Sequence, residues 1–91
     1  MINVFMISYD LRNPNRNYDK LYAVIRSFGG YCHALDSMWF VKTYFSKEYV
    51  FTQLALVLDE NDSLFVNELT KNWRGYINTD AVRWLETIKV A

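Results

Sequence analysis

The pattern of apolar and polar positions predicts four strands. Residues 2–9 are apolar at both odd and even positions, which is typical of a central strand covered on both faces. Three later runs are rich in aromatic and β-branched residues and are also predicted strands, at residues 31–35, 38–44 and 63–69. Asp36-Ser37 is a candidate tight turn between two of them, and residues 59–62 are a polar break.

Apolar residues at three- and four-residue spacing predict three helices. Asn17 is a good N-cap for the first, and Gly29-Gly30 ends it. Ser46 caps the second helix, and Asn78 or Thr79 caps the third. The predicted buried positions are Tyr18, Leu21, Tyr22, Ile25 and Phe28, then Val50, Leu54, Val57 and Leu58, then Val82, Leu85 and Ile88.

The element order predicts one ferredoxin-like α+β domain over residues 1–91. The order β-α-β-β-α-β gives a four-stranded antiparallel sheet with the first and third strands in the centre, followed by an added helix. Both crossover helices lie on one face of the sheet. The other face is bare unless a partner or the final helix covers it, and a bare face with large aromatic side chains predicts a homodimer.

Composition narrows the classes of function. Ten basic and ten acidic residues give a net charge of zero, so overall charge does not indicate nucleic-acid binding. Arg12, Arg16, Lys20 and Arg26 could still form a local basic patch, and the alternative is a solvated helix face beside a basic loop. The single Cys32 excludes an internal disulfide and a CxxC zinc site, and its apolar neighbours favour a buried, inert thiol.

No membrane segment is expected. No run of 18 apolar residues is present, and the first residues lack the basic start and cleavage site of a signal peptide. We therefore expect a soluble cytoplasmic protein.

Asp10 is the main candidate for chemistry, because it stands where the first predicted strand meets its loop. A carboxylate there could bind a hard divalent cation, and a bound metal could activate water or stabilise a phosphoryl transition state. One Asp supplies too few ligands, but a symmetric dimer could bring two copies together. The alternative is an Asx-turn, in which Asp10 accepts hydrogen bonds from backbone amides two residues on.

Two further groups leave alternatives open. His33, Asp36 and Ser37 contain the residue types of a Ser-His-Asp triad, but a partly buried structural histidine and a turn are the plainer interpretation. Trp73, Arg74 and Tyr76 share one loop and could stack on a base and bind phosphate. Loop aromatics also cover a core edge or a dimer contact.

Four stretches of the chain carry a family resemblance. The strand VFMISYDL, residues 4–11, on a ferredoxin-like fold of this length resembles the Cas-two endoribonuclease family, the small CRISPR adaptation subunit. The whole chain is more similar to Cas-two-like bacterial and phage proteins labelled the SinR family. These share residues 7–11 with three further stretches, at residues 18–22, 33–37 and 58–73.

The resemblance implies a homodimer with a role in phage or bacterial defence. In the Cas-two family, the aspartate after the first strand faces its symmetry mate and coordinates magnesium for phosphodiester cleavage, and only Asp10 matches it. Arg12 or Arg16 is a loose counterpart of the family's basic residue in the first loop. Trp39-Phe40 is a loose counterpart of the family's aromatic-rich second hairpin strand. Family members that end in exchanging strands differ from this chain, which ends in a predicted helix with Trp84.

Two functions follow as hypotheses. One is a metal-dependent endonuclease that uses Asp10 of both protomers, with Ser8, Tyr9 and Arg12 shaping the site and magnesium as cofactor. The other is a non-catalytic module that binds nucleic acid, a nucleotide or another protein through the dimer cleft and the loop with Trp73 and Arg74. The binding module is favoured, because the sequence shows one well-placed carboxylate and no general base.

Overall fold

The computed structural model describes residues 2–88, and its elements follow the predicted order. The sheet order is β2-β3-β1-β4 and every neighbouring pair is antiparallel, which confirms the α+β class and the central places of β1 and β3. The arrangement is ferredoxin-like with an added C-terminal helix. The elements are β1 (Asn3–Asp10), α1 (Asp19–Ser27), β2 (Gly30–Leu35), β3 (Met38–Thr43), α2 (Lys47–Ala55), β4 (Ser63–Glu68) and α3 (Thr79–Thr87).

The main core lies between one face of the sheet and helices α1 and α2. Cross-strand pairing places Phe5 opposite Val41 and Ile7 opposite Trp39, so these four side chains share that face. All four are buried, and they pack with Leu21 and Ile25 of α1 and with Val50 and Leu54 of α2. The stripes predicted for the two helices are therefore confirmed at their centres, while Val57 and Leu58 lie beyond the end of α2 and are only half-buried.

The ends of helices α1 and α2 test the capping residues predicted from the sequence. The hydroxyl oxygen of Ser46 accepts a hydrogen bond from the Tyr49 amide at 3.1 Å, as predicted for an N-cap. Asn17 does not cap α1, because the cap position is Tyr18, but its side-chain oxygen accepts the Asp19 amide at 2.8 Å. Gly29 follows α1 with a φ of 148°, and a Cβ there would collide with a backbone carbonyl oxygen of β3, so only glycine fits this turn.

A second, smaller core lies on the other face of the sheet. Helix α3 buries Ala81 and Leu85 against Ala34 of β2 and Phe40 of β3. Trp84, which the predicted apolar stripe omitted, stacks on Phe40 with 6.3 Å between ring centroids. The third helix thus covers the β2–β3 half of the face that the sequence left bare.

The β1–β4 half of that face stays open only at the end near Asp10, because Val4 is buried and Met6 packs against the second core. Leu64 and Val66 of β4 pack into the main core, so the alternate residues of this strand point to the other side. Register pairs Ser8 with Phe65 and Asp10 with Ser63 there, and Phe65 is 62% exposed. We call these four residues the open half-face. Among the described residues, no helix combines the length and apolar character that crossing a membrane requires.

Truncating Leu54, the core side chain of helix α2, should destabilise the domain strongly. Leu54 is fully buried, so Leu54→Ala is expected to lower the free energy of unfolding by about 2–5 kcal/mol through lost transfer energy and a cavity. Leu56→Ala is the matched control, because Leu56 is 73% exposed and its loss should cost less than about 0.5 kcal/mol. Urea unfolding measures both, and equal effects would contradict the packing of α2.

Candidate functional site

Asp10 forms an ion pair with Arg12 on the open half-face. Its Oδ2 accepts hydrogen bonds from Arg12 Nη2 at 2.7 Å and Nε at 3.1 Å. The two side chains are 60% and 61% exposed, so water screens the pair and it adds little stability. The Asx-turn considered for Asp10 occurs instead at Asn13, whose side-chain oxygen accepts the Asn15 amide at 3.2 Å.

Asp62 holds the loop after β1 in place. Its Oδ1 accepts the Arg12 amide at 2.8 Å and the Tyr18 hydroxyl at 2.8 Å, and its Oδ2 accepts the Asp59 amide at 2.8 Å. A carboxylate that receives three donors from both loops joins them at the end of the sheet. The sequence showed this acid only as part of a polar break, because its partners lie 44 and 50 positions earlier.

Hydrogen bonding sets the ionisation of the two loop acids. Burial acts to raise the pKa of Asp62, but hydrogen bonds from the Arg12 and Asp59 amides and from Tyr18 outweigh it and lower the pKa. The hydrogen bond from the Asn13 side chain lowers the pKa of Asp59. Both carboxylates are therefore ionised over the neutral range.

Arg16 has a structural role in the same loop. Its Nη2 donates to the Val57 carbonyl oxygen at 2.9 Å, and its Nη1 lies 3.7 Å from Asp59 Oδ2. The guanidinium also lies over the Tyr18 ring, 5.8 Å from the centroid. Of the two arginines predicted as binding residues, Arg12 is the more exposed, because Arg16 joins the loop to the end of α2.

A shallow groove of about 440 Å³ runs beside Asp10 and is lined by Tyr9, Asp10, Leu11, Tyr22, Asp36 and Ser37. The Tyr9 hydroxyl accepts a hydrogen bond from Trp39 Nε1 at 2.9 Å and donates to the Asp36 carbonyl oxygen at 3.4 Å. Burial raises the pKa of Tyr9, so it stays protonated. Tyr9 therefore shapes the groove as a core residue whose hydroxyl already has partners.

His33 is exposed as a residue, which differs from the expectation of partial burial. It stacks on the buried Trp39 with 4.0 Å between centroids and 12° between planes. Its Nε2 lies 3.2 Å from the Asp36 carbonyl oxygen, and within residues 2–88 it makes no hydrogen bond to the Ser37 hydroxyl. The three residues share a hairpin without forming a triad.

Trp73 and Arg74 lie at a separate place. Trp73 is half-buried and packs against the second core, as the core-covering alternative predicted. Arg74 is exposed and lines a cavity of about 230 Å³ with Trp73, while Tyr76 is fully exposed. The structure thus brings Tyr9, Asp10 and Arg12 together at one site and Trp73 and Arg74 together at another.

The metal-ligating groups of a single chain do not assemble a metal site in residues 2–88. No three side chains of His, Cys, Asp or Glu come together in that part of the chain. Asp10 has the Arg12 cation as its neighbour, which a magnesium ion would have to displace. Burial raises the pKa of the half-buried Cys32, with a smaller contribution from Asp80, which disfavours a reactive thiolate. Magnesium at paired Asp10 residues stays a prediction that requires a second copy.

Comparisons with protein-family models, curated proteins and solved structures found no match. The resemblance to the Cas-two family and to the SinR-labelled proteins is therefore a hypothesis that rests on residues 4–11 and the three other stretches in this sequence.

The loop acids should make stability fall in acid. The pKa of Asp62 is lowered on folding below the ordinary value of about 3.9, so its contribution is present above that pH and is lost as pH falls through the folded pKa. Asp62→Asn should lower the urea midpoint at pH 7, and the gap to the parent protein should narrow below about pH 4.

Glu60→Gln is the matched control, because it neutralises an exposed carboxylate in the same loop. Its urea midpoint should follow the parent protein across the pH range. A gap for Asp62→Asn that stays constant down to pH 2 would refute this role for the carboxylate charge.

Proposed function

We propose that the chain is a Cas-two-like homodimeric protein that binds nucleic acid or a nucleotide and does not catalyse a reaction. The observation that supports this is the loop at residues 70–78, which carries Lys71 and Arg74 and no acidic residue. Both cations are exposed, and the ion pairs found within residues 2–88 involve neither of them.

The side chains of this loop suit single-stranded nucleic acid. Lys71 and Arg74 supply contacts to phosphate, and the fully exposed ring of Tyr76 offers a stacking surface for a base. Trp73 supports the loop from below by packing on the second core. A local positive charge of this kind is compatible with a chain whose net charge is zero.

The open half-face supports the homodimer. Phe65 is 62% exposed beside the Asp10–Arg12 pair. A two-fold axis through this surface would set Asp10 of one protomer near Arg12 of the other, so the surface is complementary to itself. The exposed ring would then be buried between the two copies.

The same surface favours the endonuclease as the second candidate. Asp10 is 60% exposed on the open half-face, so a symmetric partner can approach it. Two carboxylates at the axis would supply the donors that one chain lacks. In this alternative Asp10 holds the metal, and Arg12 moves to a phosphate oxygen of the substrate.

Replacing Tyr76 should weaken binding of single-stranded RNA or DNA. Loss of one stacked base costs about 1–3 kcal/mol, so Tyr76→Ala is expected to raise the dissociation constant by a factor of about 5–150. Arg74→Gln should also lower the slope of log affinity against log salt by about 0.7. Fluorescence anisotropy with labelled oligonucleotides measures both.

Tyr44→Ala is the control, because Tyr44 is another strongly exposed tyrosine, at 78%, and lies outside the loop. Unchanged affinity in both loop variants would disprove the proposed binding surface. Magnesium-dependent cleavage that disappears in Asp10→Ala would establish the endonuclease instead.

A charge on the open half-face should dissociate the dimer. Phe65→Asp is expected to give a monomer by light scattering after size exclusion, because two buried carboxylates would face each other. Phe51→Asp is the control, since Phe51 is a partly exposed ring on α2, across the sheet from this face. A parent protein that stays monomeric at every concentration would refute the homodimer.

A further inference from the structure

A recessed cavity of about 230 Å³ lies between the sheet and the loop at residues 70–78. Met6, Met38 and Phe40 contribute from the sheet, Leu85 from α3 and Trp73 from the loop. It is more enclosed than the groove beside Asp10, and its lining is almost entirely apolar. Apolar lining of this kind favours apolar ligands, because burying their surface removes it from water.

Arg74 gives the cavity one charge. It is the single ionisable residue among the described residues that line this space. The ion pairs found in residues 2–88 join Asp10 to Arg12, Asp59 to Arg16 and Asp80 to Arg83, so they leave the Arg74 guanidinium without an acid partner. An apolar interior with one unpaired cation at its rim matches a ligand with an apolar body and one anionic end.

We propose that this cavity binds a small aromatic carboxylic acid, with its ring against Phe40 and Trp73 and its carboxylate on Arg74. A cavity of about 150 Å³ holds benzene, so about 230 Å³ suits one ring or two fused rings. Sulfur–aromatic contacts with Met6 and Met38 favour a ring over an alkyl chain. The planar guanidinium fork matches a carboxylate with two parallel hydrogen bonds.

A nucleobase fits this space poorly. Its ring nitrogens and carbonyl groups would lose their hydrogen bonds to water, and the apolar lining offers few replacements. The proposal therefore concerns a different ligand from the nucleic acid discussed above, and it does not depend on the homodimer.

Naphthoic acid and its neutral analogue naphthamide test the proposal with the full chain. Naphthoic acid should bind saturably, with a dissociation constant on the order of 0.1–1 mM, and should shift the NMR signals of the Met6 and Met38 methyl groups. Arg74→Gln should weaken naphthoic acid about tenfold and change naphthamide binding by less than about twofold. Arg83→Gln, an exposed arginine of α3 that is outside the cavity, should change neither.

Ile77→Phe provides an independent variant, because Ile77 lines the cavity and a larger ring would fill it. It should abolish binding of both compounds while circular dichroism shows an unchanged fold. Absence of saturable binding, equal effects of Arg74→Gln on both compounds, or undiminished binding to folded Ile77→Phe would each overturn the proposal.

Discussion

Two central strands with apolar side chains on both faces can be stable in water only if both faces are covered. Helices α1 and α2 cover the centre of one face, around Ile7 and Val41, which are fully buried. Helix α3 covers only the β2–β3 half of the other. This incomplete cover leaves the open half-face, on which the proposed homodimer is based. It also leaves the loop at residues 70–78, on which the proposed nucleic-acid binding is based.

The end of the sheet near Asp10 is organised by polar contacts. Asp62 accepts donors from the loop after β1 and from its own loop, and Arg16 adds a bond to the Val57 carbonyl oxygen. Because these contacts hold the backbone at Arg12, the guanidinium is placed beside Asp10 at 2.7 Å. The Asp10–Arg12 ion pair thus depends on Asp62, although Asp62 is not part of the pair. It is the loop, and not the strand, that positions the Arg12 side chain.

Local sequence signals predicted the order of the strands and helices. The features that they did not predict depend on contacts between residues far apart in the sequence. Ser46 and Asn78 cap helices through bonds to amides three residues on, which the sequence shows directly. Asn78 also donates to the Ala34 carbonyl oxygen, 44 positions away, and so fixes α3 on β2, which no local pattern contains. The same contrast holds at the site, where Asp10 and Arg12 are neighbours in sequence but the role of Asp62 depends on tertiary contacts.

The two candidate sites differ in local charge, although the net charge of the chain is zero. Five carboxylates and two guanidinium groups gather near the end of β1: Asp10, Asp36, Asp59, Glu60 and Asp62 with Arg12 and Arg16. The cationic loop begins beside Val4, whose carbonyl oxygen accepts the Leu69 amide at 2.8 Å, and it ends at Asn78, which donates to the Ala34 carbonyl oxygen two residues from Asp36. Lys71 and Arg74 give this loop a positive charge, whereas carboxylates outnumber guanidinium groups near Asp10. Local electrostatics therefore favours phosphate at the loop over phosphate chemistry at Asp10, unless a second copy alters the charge around that carboxylate.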